Sequence, residues 1–352
     1  MSRFFSKKYD KLVPYVPGEQ PQDKKYIKLN TNESPFPPSP IAQRLAREAA
    51  GDLRLYCDPD AKGLLEAASN YYGVSKDKLV FSNGSDDLIN FAVMAFCDDE
   101  HPATFPDVTY GFYSVACTLN NVPFVTKPLK DDFSIDVNDY VGCGMTVLLS
   151  NPNAQVGLAL PLSDVEKIIA SNPDNVVVVD EAYVDFGAES AYRLVDKYDN
   201  LLVLHTLSKS RSLAGGRLGV GIGSKGLIAD INTLRYSTNP YNVNRMTQAA
   251  GIGAFNDVEY FEKNRKTIME TRAFTKAELE KLGFTVTDSK SNFVLAGSSD
   301  IAGRELYLKL KDRGILIRHL DMPRIENYNR ITIGSLDEMK ALIAEIKDIL
   351  GK

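Results

Sequence analysis

Four apolar runs in this 352-residue chain each end in a burst of polar and charged groups. They read VFSNGSDD (80–87), VLLSNPN (147–153), VVVVDEAY (176–183) and VLHTLSK (203–209). A short run of consecutive apolar residues bounded by polar ones fits a strand buried on both faces, as in a parallel sheet. In open α/β sheets, ligands bind beyond the carboxyl ends of the strands. Four such endings in one chain predict one shared site.

The intervening segments support that architecture. Leu64 to Tyr72 and Leu88 to Phe96 have helical patterning, and Ser163 and Glu166 stand at capping-box spacing ahead of an apolar helix face. Strand-like and helix-like segments alternate, which predicts βα units around a mostly parallel sheet flanked by helices, an α/β fold. The last third changes character. Residues 257–282 read as one long charged amphipathic helix. Strand candidates follow at 293–295, 315–317 and 331–333, with a helix near 302–313. Ser335 and Glu338 repeat the capping-box spacing before Met339, Leu342, Ile343, Ile346 and Leu350, which share one helix face. The expected organisation is an N-terminal arm (1–40), a large domain (41–256) and a smaller α+β domain (257–352). The arm is rich in proline, and Tyr15, Tyr26, Ile27 and Leu29 give it apolar surface with which to dock on the body.

Composition excludes several classes. A net charge of -5 without a Lys/Arg run argues against a nucleic-acid partner. No apolar run approaches the roughly 20 residues that span a bilayer, and the N-terminus lacks an apolar signal core, so a cytoplasmic protein is expected. Cys57, Cys97, Cys117 and Cys143 do not stand at metal-ligand spacing, and no metal site is expected.

The strand endings supply the chemistry. Lys209 follows a buried strand and precedes the Gly-rich stretch LAGGRLGVG (213–221). It is either a solvated surface amine or an amine placed for Schiff-base chemistry. Asp180 follows four valines. It is either a helix cap or a carboxylate facing a protonated pyridine nitrogen, since a carboxylate at the mouth of a buried strand needs a partner. A lysine amine and an acid at the ring nitrogen are together what pyridoxal phosphate requires. Gly84, Ser85 and Asp86 lie between a strand and a helix start, where backbone N–H groups can hold a phosphate or simply cap the helix. Ser208 and Arg217 can add a hydroxyl and a charge to the same phosphate. Arg330 and Arg318 suit substrate anions or surface salt bridges.

At this point the residues resemble a known family. TLSKSRSLAGGRLG (206–219) resembles the lysine motif of class-II, fold-type-I pyridoxal-phosphate aminotransferases, and VVVVDEAYVDF (176–186) resembles their Asp/Tyr motif. LNTNESPFPPSP (29–40), LYCDPDAKGLLEA (55–67), NGSDDLI (83–89), TYGFY (109–113), PYNVNRMTQAA (240–250), SKSNFVL (289–295) and NRITIG (329–334) are similar to the histidinol-phosphate aminotransferase branch. The likeness runs in order from about Tyr15 to the C-terminus.

The resemblance implies a homodimer and a role for each matching residue. Lys209 would form the Schiff base and shuttle the proton. Asp180 would pair with the pyridinium nitrogen, Tyr183 would donate to the ring phenolate oxygen, and Tyr110 would stack on the ring. Gly84, Ser85, Asp86, Ser208 and Arg217 would surround the phosphate, and Tyr56 would reach the phosphate of the neighbouring subunit's cofactor. Arg330 would clamp the substrate α-carboxylate, with Tyr15, Asn32, Asn292 and Arg318 near the rest of the substrate. The family's Asn-Pro-Asn-Asn-Pro-Thr-Gly loop is here Asn151-Pro152-Asn153-Ala154-Gln155-Val156-Gly157. The asparagine that meets the ring oxygen aligns with Ala154, and Asn153 is expected to take over its hydrogen bond. The implied reaction moves an amino group between histidinol phosphate and 2-oxoglutarate, in histidine biosynthesis. A threonine-phosphate decarboxylase-like lyase, an aminotransferase for aromatic or other amino acids, and a non-catalytic cofactor-binding protein are the alternatives.

Overall fold

The computed structural model describes residues 2–352. Two sheets organise the chain. The strands are β1 (Ile27–Leu29), β2 (Leu79–Asn83), β3 (Ala103–Pro106), β4 (Phe124–Lys127), β5 (Thr146–Ser150), β6 (Val177–Asp180), β7 (Leu201–Thr206), β8 (Leu218–Gly223), β9 (Phe284–Val286), β10 (Phe293–Ser298), β11 (Ile315–His319) and β12 (Tyr328–Thr332). The helices are α1 (Pro40–Ala50), α2 (Lys62–Tyr72), α3 (Ser85–Phe96), α4 (Phe112–Leu119), α5 (Leu162–Ser171), α6 (Lys225–Thr238), α7 (Arg245–Asn256), α8 (Val258–Lys281), α9 (Gly303–Asp312) and α10 (Leu336–Leu350).

The larger sheet runs β2-β8-β7-β6-β5-β3-β4. Its pairs are parallel except around β8, which is antiparallel to both β2 and β7. Alternating side chains of the central strands serve opposite faces, as the pleat dictates. Val147, Leu149, Val177, Val179, Leu201 and Val203 pack with α2, α5 and α7, whereas Leu148, Val178, Leu202 and Leu204 pack with α3, α4 and α6. Both faces are therefore dry, which is why β6 can be an unbroken run of valines.

The smaller sheet runs β1-β11-β12-β10-β9 and packs against α8, α9 and α10 through Ile268, Leu279, Leu306, Leu310, Leu342 and Ile346. Its edge strand β1 comes from the N-terminal segment and pairs parallel with β11. The stretch 2–40 is thus tied to the C-terminal part of the chain.

Helix α10 has the capping box expected of it, with Ser335 and Glu338 bonding reciprocally. The expected box at Ser163 and Glu166 does not form. Helix α5 already begins at Leu162 behind Pro161, so Ser163 lies inside the helix, and Glu166 instead accepts from Lys197 and Tyr198. Proline ahead of the first turn sets the start where a missing N–H costs nothing. Among the described residues no helix is long and apolar enough to cross a membrane.

Candidate active site

The carboxyl ends of β6 and β7, the start of α3 and strands β11 and β12 of the smaller sheet enclose one cavity of about 490 Å³. Lys209, Asp180, Tyr183, Ser208, Arg217, Ser85, Asp86, Tyr110, Tyr15, Asn32, Arg318 and Arg330 all line it. Residues more than three hundred positions apart meet because the second sheet closes over the strand ends of the first.

Lys209 stands three residues beyond β7. Its Nζ donates to the Thr31 carbonyl at 3.1 Å. Burial pushes the ammonium down to about 8, Arg330 and Arg217 press the same way, and Glu33 and Asp86 oppose them. A lysine lowered in this way has a nucleophilic fraction that an exposed one lacks near neutrality.

Asp180 ends β6 and is buried. Burial lifts its carboxyl to about 6, against the stabilising hydrogen bonds from the Tyr113 hydroxyl (2.9 Å) and the Ala182 amide (3.2 Å). Among the described residues it forms no ion pair. A buried carboxylate that faces a cavity and pairs with none of the cations around it is an acceptor for a positively charged ligand. Tyr113, on the first turn of α4, was not singled out in the sequence. The signal was the TYGFY string, which sets Tyr110 and Tyr113 about one helical turn apart, one toward the cavity and one behind it.

The phosphate-type corner is built by backbone. Gly84 has φ +82 and precedes α3, whose first turn has no side-chain cap, so its leading N–H groups are left for a ligand. A Cβ at Gly84 would lie 2.3 Å from Arg217 Nη2. Gly219 is equally constrained, since a Cβ there would stand 2.5 Å from the Gly84 carbonyl carbon. Arg217, itself left-handed at φ +53, meets Asp86 at 3.2 Å, and Tyr110 donates to the same carboxylate at 2.9 Å.

On the opposite wall, Tyr183 accepts a hydrogen bond from Asn32 Nδ2 at 3.0 Å. Asn32, at φ +57, is held by Thr332 and by Asn292, whose Nδ2 donates to the Asn32 carbonyl at 3.0 Å. Arg330 donates to the Ala154 carbonyl at 2.9 Å and to Gln155 Oε1 at 3.1 Å, while its Nε is buried without a partner among the described residues. Among the described residues Arg318 donates to the carbonyls of Val16 and Pro17, each at 3.4 Å. Tyr15 packs edge-on against Tyr110 and Phe112.

Four expected residues are not brought to the cavity wall. Asn153 is spent within its own loop. Its Nδ2 donates to the Val108 carbonyl (2.8 Å), and its Oδ1 accepts from the amides of Gln155 and Val156. It is therefore not free to replace the missing asparagine, and Ala154 and Gln155 line the cavity instead. Asn292 sits behind Asn32, Gly84 shapes the helix start, and Tyr56 is 78% exposed, stacked on Tyr241 with ring centroids 4.5 Å apart. Thr31, Glu33 and Gln155 line the cavity without having been singled out as site residues.

Residues 24–346 match the family described as aminotransferase class I and II. A histidinol-phosphate aminotransferase of Brachyspira hyodysenteriae is 47% identical, over 99% of each chain. The enzyme of that name from Clostridium acetobutylicum is 42% identical over the whole of both chains. The crystal structure of histidinol-phosphate aminotransferase from Sinorhizobium meliloti, in complex with pyridoxal-5'-phosphate, superposes with a TM-score of 0.86 at 25% identity, covering 93% of this chain and 92% of that one. Related along its full length to such proteins, and matched by the family over all but its ends, this chain belongs to the class I and II aminotransferases.

Proposed function

We propose that the chain is a pyridoxal-phosphate-dependent aminotransferase that exchanges an amino group between histidinol phosphate and 2-oxoglutarate. The carrying observation is that one cavity holds both an amine lowered to about 8 and a buried carboxylate without a cation. The donor set fits pyridoxal phosphate. The uncapped start of α3 with Ser85, Ser208 and Arg217 suits the phosphate, Asp180 the ring nitrogen, Tyr183 the ring oxygen and Tyr110 the ring face. Bound there, the cofactor would supply an aldehyde for amines and an electron-withdrawing ring that eases loss of the Cα proton.

The chain's own residues do the rest. Lys209, neutral in part near pH 8, takes the Cα proton and returns it one position away, acting as base and then acid. Asp180 keeps a proton on the group it faces, because a buried carboxylate favours a partner of opposite charge. Tyr183 donates its hydroxyl hydrogen toward the cavity while accepting from Asn32. Arg330 binds the substrate α-carboxylate. Arg318, with Tyr15, takes the second anion, phosphate in one substrate and distal carboxylate in the other. With Ala154 in place of an asparagine, Tyr183 and Asn32 serve the ring oxygen without a loop partner.

We also read the chain as a homodimer in which Tyr56 reaches the partner's phosphate corner. Its exposure, the exposed Leu53, Leu55 and Tyr241 around it in sequence and space, and the buried Asn242 Nδ2 and Arg245 Nε, which have no partner among the described residues, support that reading.

A panel of amino donors at fixed 2-oxoglutarate tests the substrate. Histidinol phosphate is expected to give the highest kcat/KM. Carbon dioxide release from threonine phosphate without glutamate formation would overturn the transferase reading in favour of a lyase.

A further inference from the structure

Gln155 occupies a position where the resembling family's loop has proline, a residue with no side-chain amide. Here the side chain is 7% exposed, lines the cavity and bridges two walls. Its Nε2 donates to the Thr109 carbonyl at 3.2 Å, and its Oε1 accepts from Arg330 Nη1 at 3.1 Å. The orientation of the amide is determined. Rotating it would set an NH₂ against a guanidinium and an oxygen against a carbonyl, two repulsive contacts in place of two attractive ones. The loop behind it is fixed by Asn153, whose carboxamide ties the Gln155 and Val156 amides to the Val108 carbonyl.

The partners of Arg330 share one property: all are neutral. They are the Ala154 and Asn30 carbonyls and the Gln155 amide oxygen. Among the described residues no carboxylate pairs with Arg330, and Arg318 stands directly opposite it across β11 and β12. A carboxylate at position 155 would satisfy the same hydrogen bond and also cancel the charge.

We propose that Gln155 is a positioning residue for Arg330. It aims the guanidinium with a neutral acceptor and so leaves the full positive charge for an anionic ligand. This rests on the reading of Arg330 as the carboxylate site. It assigns to this chain's altered loop a role in substrate affinity, one that a proline at that position could not perform.

The test is calorimetric titration of the cofactor-loaded protein with maleate, an unreactive dicarboxylate, alongside steady-state kinetics. The variants are Gln155→Glu, Gln155→Met and, as a control, Arg330→Gln. Gln155→Met keeps the length but removes the acceptor, and is expected to weaken maleate about tenfold. Gln155→Glu is expected to weaken it more, because its carboxylate competes with the ligand, and to raise KM by a larger factor than it lowers kcat. Because Gln155→Glu also sets an oxygen against the Thr109 carbonyl, a purely structural role would lower kcat by at least the factor by which it raises KM, and that outcome overturns the proposal. Affinity in Gln155→Glu equal to or better than that in Gln155→Met, with Arg330→Gln still crippled, overturns the inference alone. Unchanged affinity in Arg330→Gln overturns the underlying reading. If Gln155→Glu does not fold, Gln155→Met decides, and wild-type affinity in it overturns the proposal.

Discussion

Arg318 and Arg330 are direct cross-strand neighbours on β11 and β12, and among the described residues neither makes an ion pair. Like charges opposite one another cost stability. An anionic ligand bound beside a pair left in this state at a cavity wall would relieve that repulsion.

Replacing either arginine therefore separates binding from folding. Arg318→Gln is expected to hold or raise the melting temperature of the ligand-free protein, while Arg330→Gln is expected to lower kcat/KM by roughly 30- to 1000-fold. Arg318→Gln should penalise substrates with a second anion far more than those without one. Thermal melts and a kinetic comparison of histidinol phosphate with histidinol check both.

Lys209→Ala is expected to abolish turnover and to remove the part of the loaded protein's absorbance that depends on a bond between cofactor and lysine amine. The cofactor-free protein gives a second readout. Folded Lys209 releases its proton near pH 8, against an ordinary value of 10.5. Between those values the unfolded chain binds more protons, so this residue makes stability rise with pH across that window. Denaturant midpoints from pH 8 to 10.5 should lose that slope in the alanine variant.

Asp180 has the opposite sign. Its folded carboxyl titrates near 6 rather than 3.8, so it detracts from stability above pH 6, and the penalty fades as pH falls toward 3.8. Asp180→Asn should therefore stabilise the cofactor-free protein at pH 8 by on the order of 1–3 kcal/mol while removing nearly all activity. A lower melting temperature in the variant at pH 8 would count against the assignment.

Gly84→Ala should cost on the order of 1–3 kcal/mol for the backbone alone, because φ +82 with ψ 163 is a conformation open essentially to glycine only. Its methyl would also displace Arg217 from the phosphate corner. Titrating the cofactor-free variant with pyridoxal phosphate should show weaker binding, with the substrate KM less affected.

Much of this was visible in the chain because the signal was local. Runs such as VVVVD and LLVLHT become β6 and β7, so Asp180 falls at the end of one and Lys209 three residues beyond the other. Strand β8 was less legible. LGVGIG reads as a glycine-rich stretch, yet Gly219 and Gly221 are there because the start of α3 and β2 lie against them, a tertiary reason. The same holds for Asn153. The resemblance to the family's loop suggested that it replaces a missing hydrogen bond, but only the fold reveals that Val108 and two loop amides already occupy its carboxamide. Tyr113 and Thr31 reach Asp180 and Lys209 from distant segments, and no spacing rule encodes such contacts.

Strand β1 carries a consequence for synthesis. Residues 27–29 have no sheet to join until β11 has been made, and the Thr31 carbonyl that receives Lys209 sits just beyond them. On the ribosome, the large sheet can assemble while the first thirty residues wait unpaired. The binding chamber can therefore close only after nearly the entire message has been translated, and a product halted before residue 315 would carry its lysine in an unfinished room.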